Sequence, residues 1–260
     1  MPSASFFVEH SGSGSFRATE NTRGPWDHEH QHAGPPSALL ARALERLEPK
    51  DGLRIVRVTT EILRPVPIAA LELDVSVVRP GRSVELLEGA LRSERHEVMR
   101  ARAWRMRETD IGIPQPECVR MPPPEDARPV PFFPTLAQVG YHTSMEWRFF
   151  SGGFNEPGPG KAWLRMKLPL LPGEEPSPLT RTIVAADSGN GVSSPLDYQK
   201  YLFVNTDLTI QLYREPQGEW IGLDGRSHVE PTGVGLTETV LHDRSGPVGR
   251  AMQTLFDAAR

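Results

Sequence analysis

The chain has 260 residues, a formal net charge of −4 and a single cysteine. That length supports one large domain or two of about 100 to 130 residues, each able to bury a core. The charge balance excludes a polybasic footprint for nucleic acid or membrane, and Cys118 alone excludes an intramolecular disulfide or a cysteine-built zinc site and suits a reducing compartment.

The first residues, MPSASFFVEHSGSGSF, have neither the basic start nor the apolar run of a secretory signal, and no window approaches about 18 apolar residues. A soluble, cytoplasmic protein is expected. SFFVEH and GSFRATE read as short strands joined by a Ser/Gly turn. TRGPWDHEHQHAG is irregular and holds His28, His30 and His32 with Asp27 and Glu29. Their spacing fits no standard metal-ligand pattern, so a mobile surface loop and no metal are expected.

PPSALLARALERLE predicts a helix, because prolines are tolerated in a first turn and Leu39, Leu40, Ala43, Leu44 and Leu47 make one apolar stripe, which Pro49 and Gly52 end. At its N-terminus the backbone N–H groups of Ala33 and Gly34 are placed to bind an anion or polarise a carbonyl. Strands are predicted over 54–63, 71–78, 84–91 and 98–106; LELDVSVV alternates as an antiparallel strand with one covered face does. The arginines between 100 and 107 fit a solvated strand face or a phosphate contact.

From Ile113 to Pro134 eight prolines disfavour ladder pairing and helix interior, and an extended connector is expected there. Beyond it the order repeats: strands MEWRFF and KAWLRMKLPL, a helix SPLTRTIVAAD with Ser177 as N-cap and Pro178 as its first residue, then strands FVNTDLTIQLY, EWIGLDGRSHV, GLTETVLHD and VGRAMQTLF. Individual residues repeat as well. LRSERHEVMRARA returns as LHDRSGPVGRAMQ at an offset of 150, sharing Leu91/Leu241, Val98/Val248, Arg100/Arg250 and Ala101/Ala251, and the strands ending at Arg64 and Arg214 keep that offset. A duplicated α+β unit is expected, with domains at 1–110 and 136–260 around a linker at 111–135.

Leu179, Ile183 and Asp187 fall at i, i+4 and i+8, so a carboxylate shares the buried stripe of the second helix. Such a group is hydrogen-bonded, neutralised or functional, unless the helix ends at Asp187 and the side chain reaches solvent. No GxxxxGK[ST] loop, strand-linked GxGxxG or GxSxG elbow occurs, which removes support for P-loop, dinucleotide-binding and acyl-serine readings.

HAGPPSALLARAL, LRPVP, AADSGNG, NTDLTIQLYREPQGEW and the closing GRAMQTL, in this order, resemble the acyl-CoA thioesterase II type of double-hotdog protein over nearly the whole chain. The resemblance implies an α+β double hotdog of two tandem repeats, each a curved antiparallel sheet wrapped around a long helix. It implies hydrolysis of acyl-CoA to free acid and CoA by activated water, in fatty acid metabolism, with no acyl-enzyme and no metal or organic cofactor. Carried over, Asp187 matches the helix aspartate that acts as general base, Gln253 the glutamine of the last strand, and Asn205 a position usually held by threonine, which is a departure.

A carboxylate, an amide and a hydroxyl or second amide can together take a proton from water and aim that water at a thioester carbonyl. Gly34 would bind the developing oxyanion, and Leu39 and Leu40 would line part of the acyl pocket. Strand phase admits a rival for the third position: Leu208, Ile210 and Leu212 share one face, so Thr206 completes the site in a regular strand, whereas the register fixed by Arg214 selects Asn205, which then requires a bulge. The first half has no evident counterpart of Asp187, and one site per chain is expected. The alternatives are a non-catalytic acyl-CoA or lipid-binding double hotdog, which the departure at Asn205 keeps open, and an enoyl-CoA hydratase, whose D-x-N-x-x-H element is absent. The implied partner is acyl-CoA, with no nucleic acid or membrane; the oligomeric state is left open, with a homo-oligomer one option because exposed sheet faces in this architecture often pair.

Overall fold

The computed structural model describes residues 4–10, 14–114, 117–130 and 137–260. The Ser/Gly turn expected at 11–13 and the connector residues 115–116 and 131–136 lie outside the described residues. In chain order the elements are β1 (Phe7–Glu9), β2 (Ser15–Ala18), α1 (Gly34–Arg46), β3 (Leu53–Ile62), β4 (Ala70–Arg79), β5 (Val84–Ser93), β6 (His96–Arg107), β7 (Arg128–Pro129), α2 (Tyr141–Ser144), β8 (Met145–Gly153), β9 (Glu156–Met166), α3 (Pro178–Ala186), α4 (Gly189–Ser193), β10 (Tyr201–Asn205), β11 (Asp207–Leu212), β12 (Ile221–Val229), β13 (Val234–Asp243) and β14 (Gly246–Ala259).

The strands make one antiparallel sheet in the order β1-β2-β4-β5-β6-β3-β11-β14-β13-β12-β9-β8-β7, with β10 also beside β14. The earlier and later halves of the chain occupy opposite ends of that order and join through β3 and β11. This join is centred on Thr59 opposite Thr209, positions 150 apart whose hydroxyl oxygens lie 3.2 Å from each other. On either side Glu61 faces Asp207 and Arg57 faces Gln211, so the second pair is the first turned about a two-fold axis through the threonines.

Alternation in the sequence decides which face of each strand is covered. In β4, Leu71 is buried and Leu73, Val75 and Val77 are half-buried, whereas Glu72, Asp74 and Ser76 face water. The covered face receives α1, whose Leu39, Leu40 and Leu44 are fully buried, each contributing about 1.5–3 kcal/mol of transfer free energy. The arginines of β6 are largely paired with carboxylates: Arg100 with Glu97, Arg102 with Glu88, and Arg105 with the wholly buried Glu85. That pairing fits the strand-face reading and leaves the phosphate reading without support.

The two principal helices run antiparallel. Gly34 at the start of α1 lies beside Val184 near the end of α3, while Glu45 near the end of α1 accepts a 2.6 Å hydrogen bond from Ser177, the N-cap of α3. As the sequence predicts, Ser177 accepts from the Thr180 N–H and Pro178 opens the helix. Antiparallel packing brings the N-terminus of α1 to the C-terminus of α3, and the candidate site forms there.

Four expectations need correction. The second helix is interrupted: α3 stops at Ala186, Asp187 and Ser188 form a joint, and α4 resumes at Gly189, so the second half lacks one long helix. The ninth strand starts earlier than KAWLRMKLPL and ends at Met166. The proline-rich connector contributes the two-residue β7, paired with β8, and is docked: Met121 and Ala127 pack with Trp163 and Trp220, and Trp163 Nε1 donates to Pro122 O at 2.8 Å. The histidine-rich segment is held by bridges from Arg23 to Gln31 and from His30 to Pro67, with Gln31 buried. Among the described residues no helix is long and apolar enough to cross a membrane.

Candidate active site

Asp187 is 2% exposed, so the helix end does not release it to water. A carboxylate buried this far needs partners, and the structure supplies three. Asn205 Nδ2 donates to Oδ1 at 2.9 Å, Gln253 Nε2 stands 3.5 Å from the same oxygen, and His32 Nδ1 lies 2.9 Å from Oδ2. Hydrogen bonds to a charged acceptor contribute about 1.5–3 kcal/mol each when well aligned.

The helix joint aims that carboxylate, and its freed backbone groups are satisfied from a distance. Gln253 on β14 donates from Nε2 to Asp187 O at 3.1 Å and accepts the Asn190 N–H on Oε1 at 3.1 Å, bridging the break. Tyr141 donates its hydroxyl to Val184 O at 2.6 Å and is joined to Ser188 Oγ at 2.8 Å. Burial pushes the Tyr141 phenol well above its ordinary range despite the Ser188 hydrogen bond, so it stays neutral.

Asn205 reaches the carboxylate because its strand is irregular. Asn205 pairs with Leu255 but Thr209 pairs with Met252, which leaves one extra residue on the β10–β11 side. That bulge turns Asn205 inward while Leu208 and Ile210 stay buried, and Thr206 is exposed at the join with its backbone bonded to Ile62 and Thr254. Both amide hydrogens of Asn205 are used, one on Asp187 and one on Asp207 O at 3.1 Å. The structure therefore gathers Asp187, Asn205 and Gln253, and leaves Thr206 at the cavity rim.

At the start of α1, Pro35 and Pro36 carry no N–H, so Gly34 holds the only donor among the first three helical residues. It points at His32 Nδ1, 3.2 Å away. A Cβ on Gly34 would stand 2.7 Å from Val184 O, so glycine lets α1 and α3 approach closely here.

A cavity of about 490 Å³ opens onto His32, Asp187 and Asn205. Its apolar wall is aromatic, with Trp26 edge-on to Phe203 at 4.9 Å and Trp147 edge-on to Phe154 at 4.9 Å. Leu39 and Leu40, expected in an acyl pocket, are instead sealed in the core because the α1 stripe faces the sheet. Gln253 and Gly34 stand behind the cavity surface, which Asp187 and Ala33 reach.

Sequence models of an acyl-CoA thioesterase N-terminal domain and an acyl-CoA thioesterase C-terminal domain match residues 22–106 and 124–256. The chain belongs to the acyl-CoA thioesterase family. It is a thioester hydrolase, and the cavity beside Asp187 is the candidate active site of that thioesterase. No curated protein matches the chain.

Solved structures give the thioesterase a hotdog fold. A conserved protein of unknown function with a hot dog fold from Alicyclobacillus acidocaldarius is 14% identical, with a TM-score of 0.75 over 96% of each chain. An acyl-CoA thioesterase II, TesB2, from Mycobacterium marinum is 16% identical, with a TM-score of 0.67 over 97% of this chain and 96% of that one. A tesB protein of Mycobacterium avium subsp. paratuberculosis is 17% identical, with a TM-score of 0.65 over 96% and 95%.

Sequence reasoning missed two features of the thioesterase's site. His32 was grouped with an exposed histidine run, yet it is only 15% exposed and its ring stacks on Tyr141 at 3.7 Å and 13°. Its place directly before the helix N-terminus was the available signal. The aromatic wall is drawn from separate segments, and no local pattern reveals it.

Proposed function

We propose that this thioesterase hydrolyses acyl-CoA to free acid and CoA by direct attack of water, with Asp187, Asn205 and Gln253 at its centre and no metal or organic cofactor. The observation that carries this is a carboxylate buried in the protein interior and held there by Asn205 and His32, beside a cavity wide enough for an acyl group. Its negative charge drives removal of a proton from water as the oxygen attacks the thioester carbonyl. Asn205 fixes the carboxylate and has no nucleophilic oxygen to offer, which favours water attack over an acyl-enzyme. Gln253 sets the joint from which Asp187 projects. The acyl chain lies along the aromatic wall, with Thr206 at its mouth; Ala33 brings the N-terminus of α1 to the cavity surface, and the Gly34 N–H just behind it is the donor assigned to the developing oxyanion, where one good donor contributes about 3 kcal/mol.

The proposal includes two tandem hotdog units that meet in the segment 111–135. The 150-residue offset and the pairing about Thr59 and Thr209 both support an internal duplication. One site per chain is supported by the opposite helix junction, where Glu45 meets Ser177 but the positions 150 before Asn205 and Gln253 hold Ile55 and Ala103. A cytoplasmic site of action fits the single cysteine.

Release of free CoA, followed with a thiol reagent across short, medium, long and aromatic acyl-CoAs, tests the reading. Turnover of at least one class is expected. Silence across the panel with acyl-CoA still bound would replace it with a binding protein.

A further inference from the structure

The carboxylate at the centre of the site has little capacity left for a proton from water. Asp187 Oδ1 already accepts from Asn205 and lies within 3.5 Å of Gln253 Nε2, Oδ2 faces His32 Nδ1 at 2.9 Å, and the residue is 2% exposed. His32 is arranged differently. Its Nδ1 edge is turned to Asp187, its ring is clamped flat against Tyr141, and the side chain lines the cavity. Nε2 makes no hydrogen bond among the described residues and is not one of the sealed, unbonded nitrogens of the interior, so it is open to the cavity.

We infer that His32 is a catalytic residue of this thioesterase: Nε2 takes the proton from the attacking water, and Asp187 acts behind it. This rests on the thioesterase reading above and assigns the proton-accepting atom within it.

Tautomer chemistry supports the assignment. Nδ1 cannot accept from the Gly34 N–H and donate to Asp187 at once, and the carboxylate, at 2.9 Å against 3.2 Å, is the closer and stronger partner. The ring therefore carries its proton on Nδ1, directed at Oδ2, which leaves a lone pair on Nε2 and frees the Gly34 N–H. A buried acid fixing the tautomer and orientation of an imidazole that works from its other nitrogen is a recurring catalytic unit.

The step balances. Water forms the new C–O bond and gives one proton to Nε2, so the ring becomes a cation beside Asp187 and the carbonyl oxygen becomes an oxyanion. Collapse of the tetrahedral centre breaks the C–S bond, and Nε2–H returns its proton to the departing sulfur, giving CoA thiol and the acid.

The test uses the full chain and an acyl-CoA that the wild type hydrolyses. His32→Ala is expected to lower kcat about 10²- to 10⁴-fold, the span of general-base catalysis, with KM within about threefold. Added imidazole is expected to restore part of the rate by entering the slot against Tyr141. His32→Gln can still donate to Asp187 but has no basic nitrogen, so it serves if the alanine variant does not fold, and the same loss is expected. His28→Ala, at an exposed histidine of the same segment, is the control and should match wild type. Either His32 variant keeping kcat within about threefold of wild type overturns the inference, as does a loss that appears as a raised KM and resists imidazole. An inactive wild type would overturn the function reading and this one together, whereas active His32 variants overturn this one alone.

Discussion

Replacing Gly34 with alanine adds one methyl at the tightest point between α1 and α3. Its Cβ would stand 2.7 Å from Val184 O, 3.3 Å from His32 Nδ1 and 3.4 Å from Asp187 Cβ. Favourable contact distances between such atoms are about 3.5 Å, so the helices must separate by roughly 0.5–1 Å, and Val184 O cannot swing aside because it is backbone and already accepts the Tyr141 hydroxyl. Overpacking of this kind costs about 1–3 kcal/mol, and the better helix propensity of alanine returns up to about 1 kcal/mol. A net loss of about 0–3 kcal/mol is therefore expected in denaturant unfolding. Activity should suffer more, because the same shift stretches the 2.9 Å His32–Asp187 contact, and misplacement by about 1 Å costs on the order of 10²-fold. Unfolding curves and kcat for CoA release, measured on the same preparation, check both numbers. A Gly34→Ala protein with wild-type kcat would refute the claim that helix approach sets the site.

Other changes probe the same framework. Asn205→Ala removes donors from Asp187 and from Asp207 O, and is expected to lower both kcat and unfolding free energy, the latter by about 1.5–3 kcal/mol. Arg105→Ala strips a partner from fully buried Glu85 and should cost about 3–5 kcal/mol in denaturant unfolding. Lys50, with Arg105 and the Gly81 N–H, holds the Glu85 carboxyl down to about 2 against an ordinary 4.5, so its stabilisation is present above 4.5 and fades as pH falls toward 2; an acid titration of Glu85→Gln should lack that component. Asp257 is 7% exposed with no hydrogen bond to either carboxylate oxygen, and burial pushes its carboxyl up. A raised carboxyl costs stability as pH rises through the carboxylate range, so Asp257→Asn should raise the melting temperature at pH 8 more than at pH 4; an equal shift at both would contradict this.

Local signals in the sequence were enough to locate most of the fold. Period-two alternation placed β4, the Leu39–Leu44 stripe placed α1, and Ser177 with Pro178 placed the start of α3. Leu208 and Ile210 exposed the phase conflict at Asn205, and the bulge that settles its geometry is the irregularity such a conflict requires. What escaped depends on distant partners. The break after Ala186 is held by Tyr141 and Gln253, which are 47 and 66 residues from Ser188 and Asp187 in the chain, and only the folded sheet brings them there. His32 turns inward because α1 docks its N-terminus onto the end of α3, and composition had placed it with its exposed neighbours.

Hydrolysis by wild type and Asp187→Asn, compared side by side on one good acyl-CoA, tests the central claim most directly. The substitution keeps the size of the side chain and removes its charge. The account predicts a folded variant with an unfolding transition near that of wild type and CoA release reduced at least about 10²-fold, the low end of acid–base catalysis. Unchanged turnover in the folded variant would contradict it and move the active site away from Asp187.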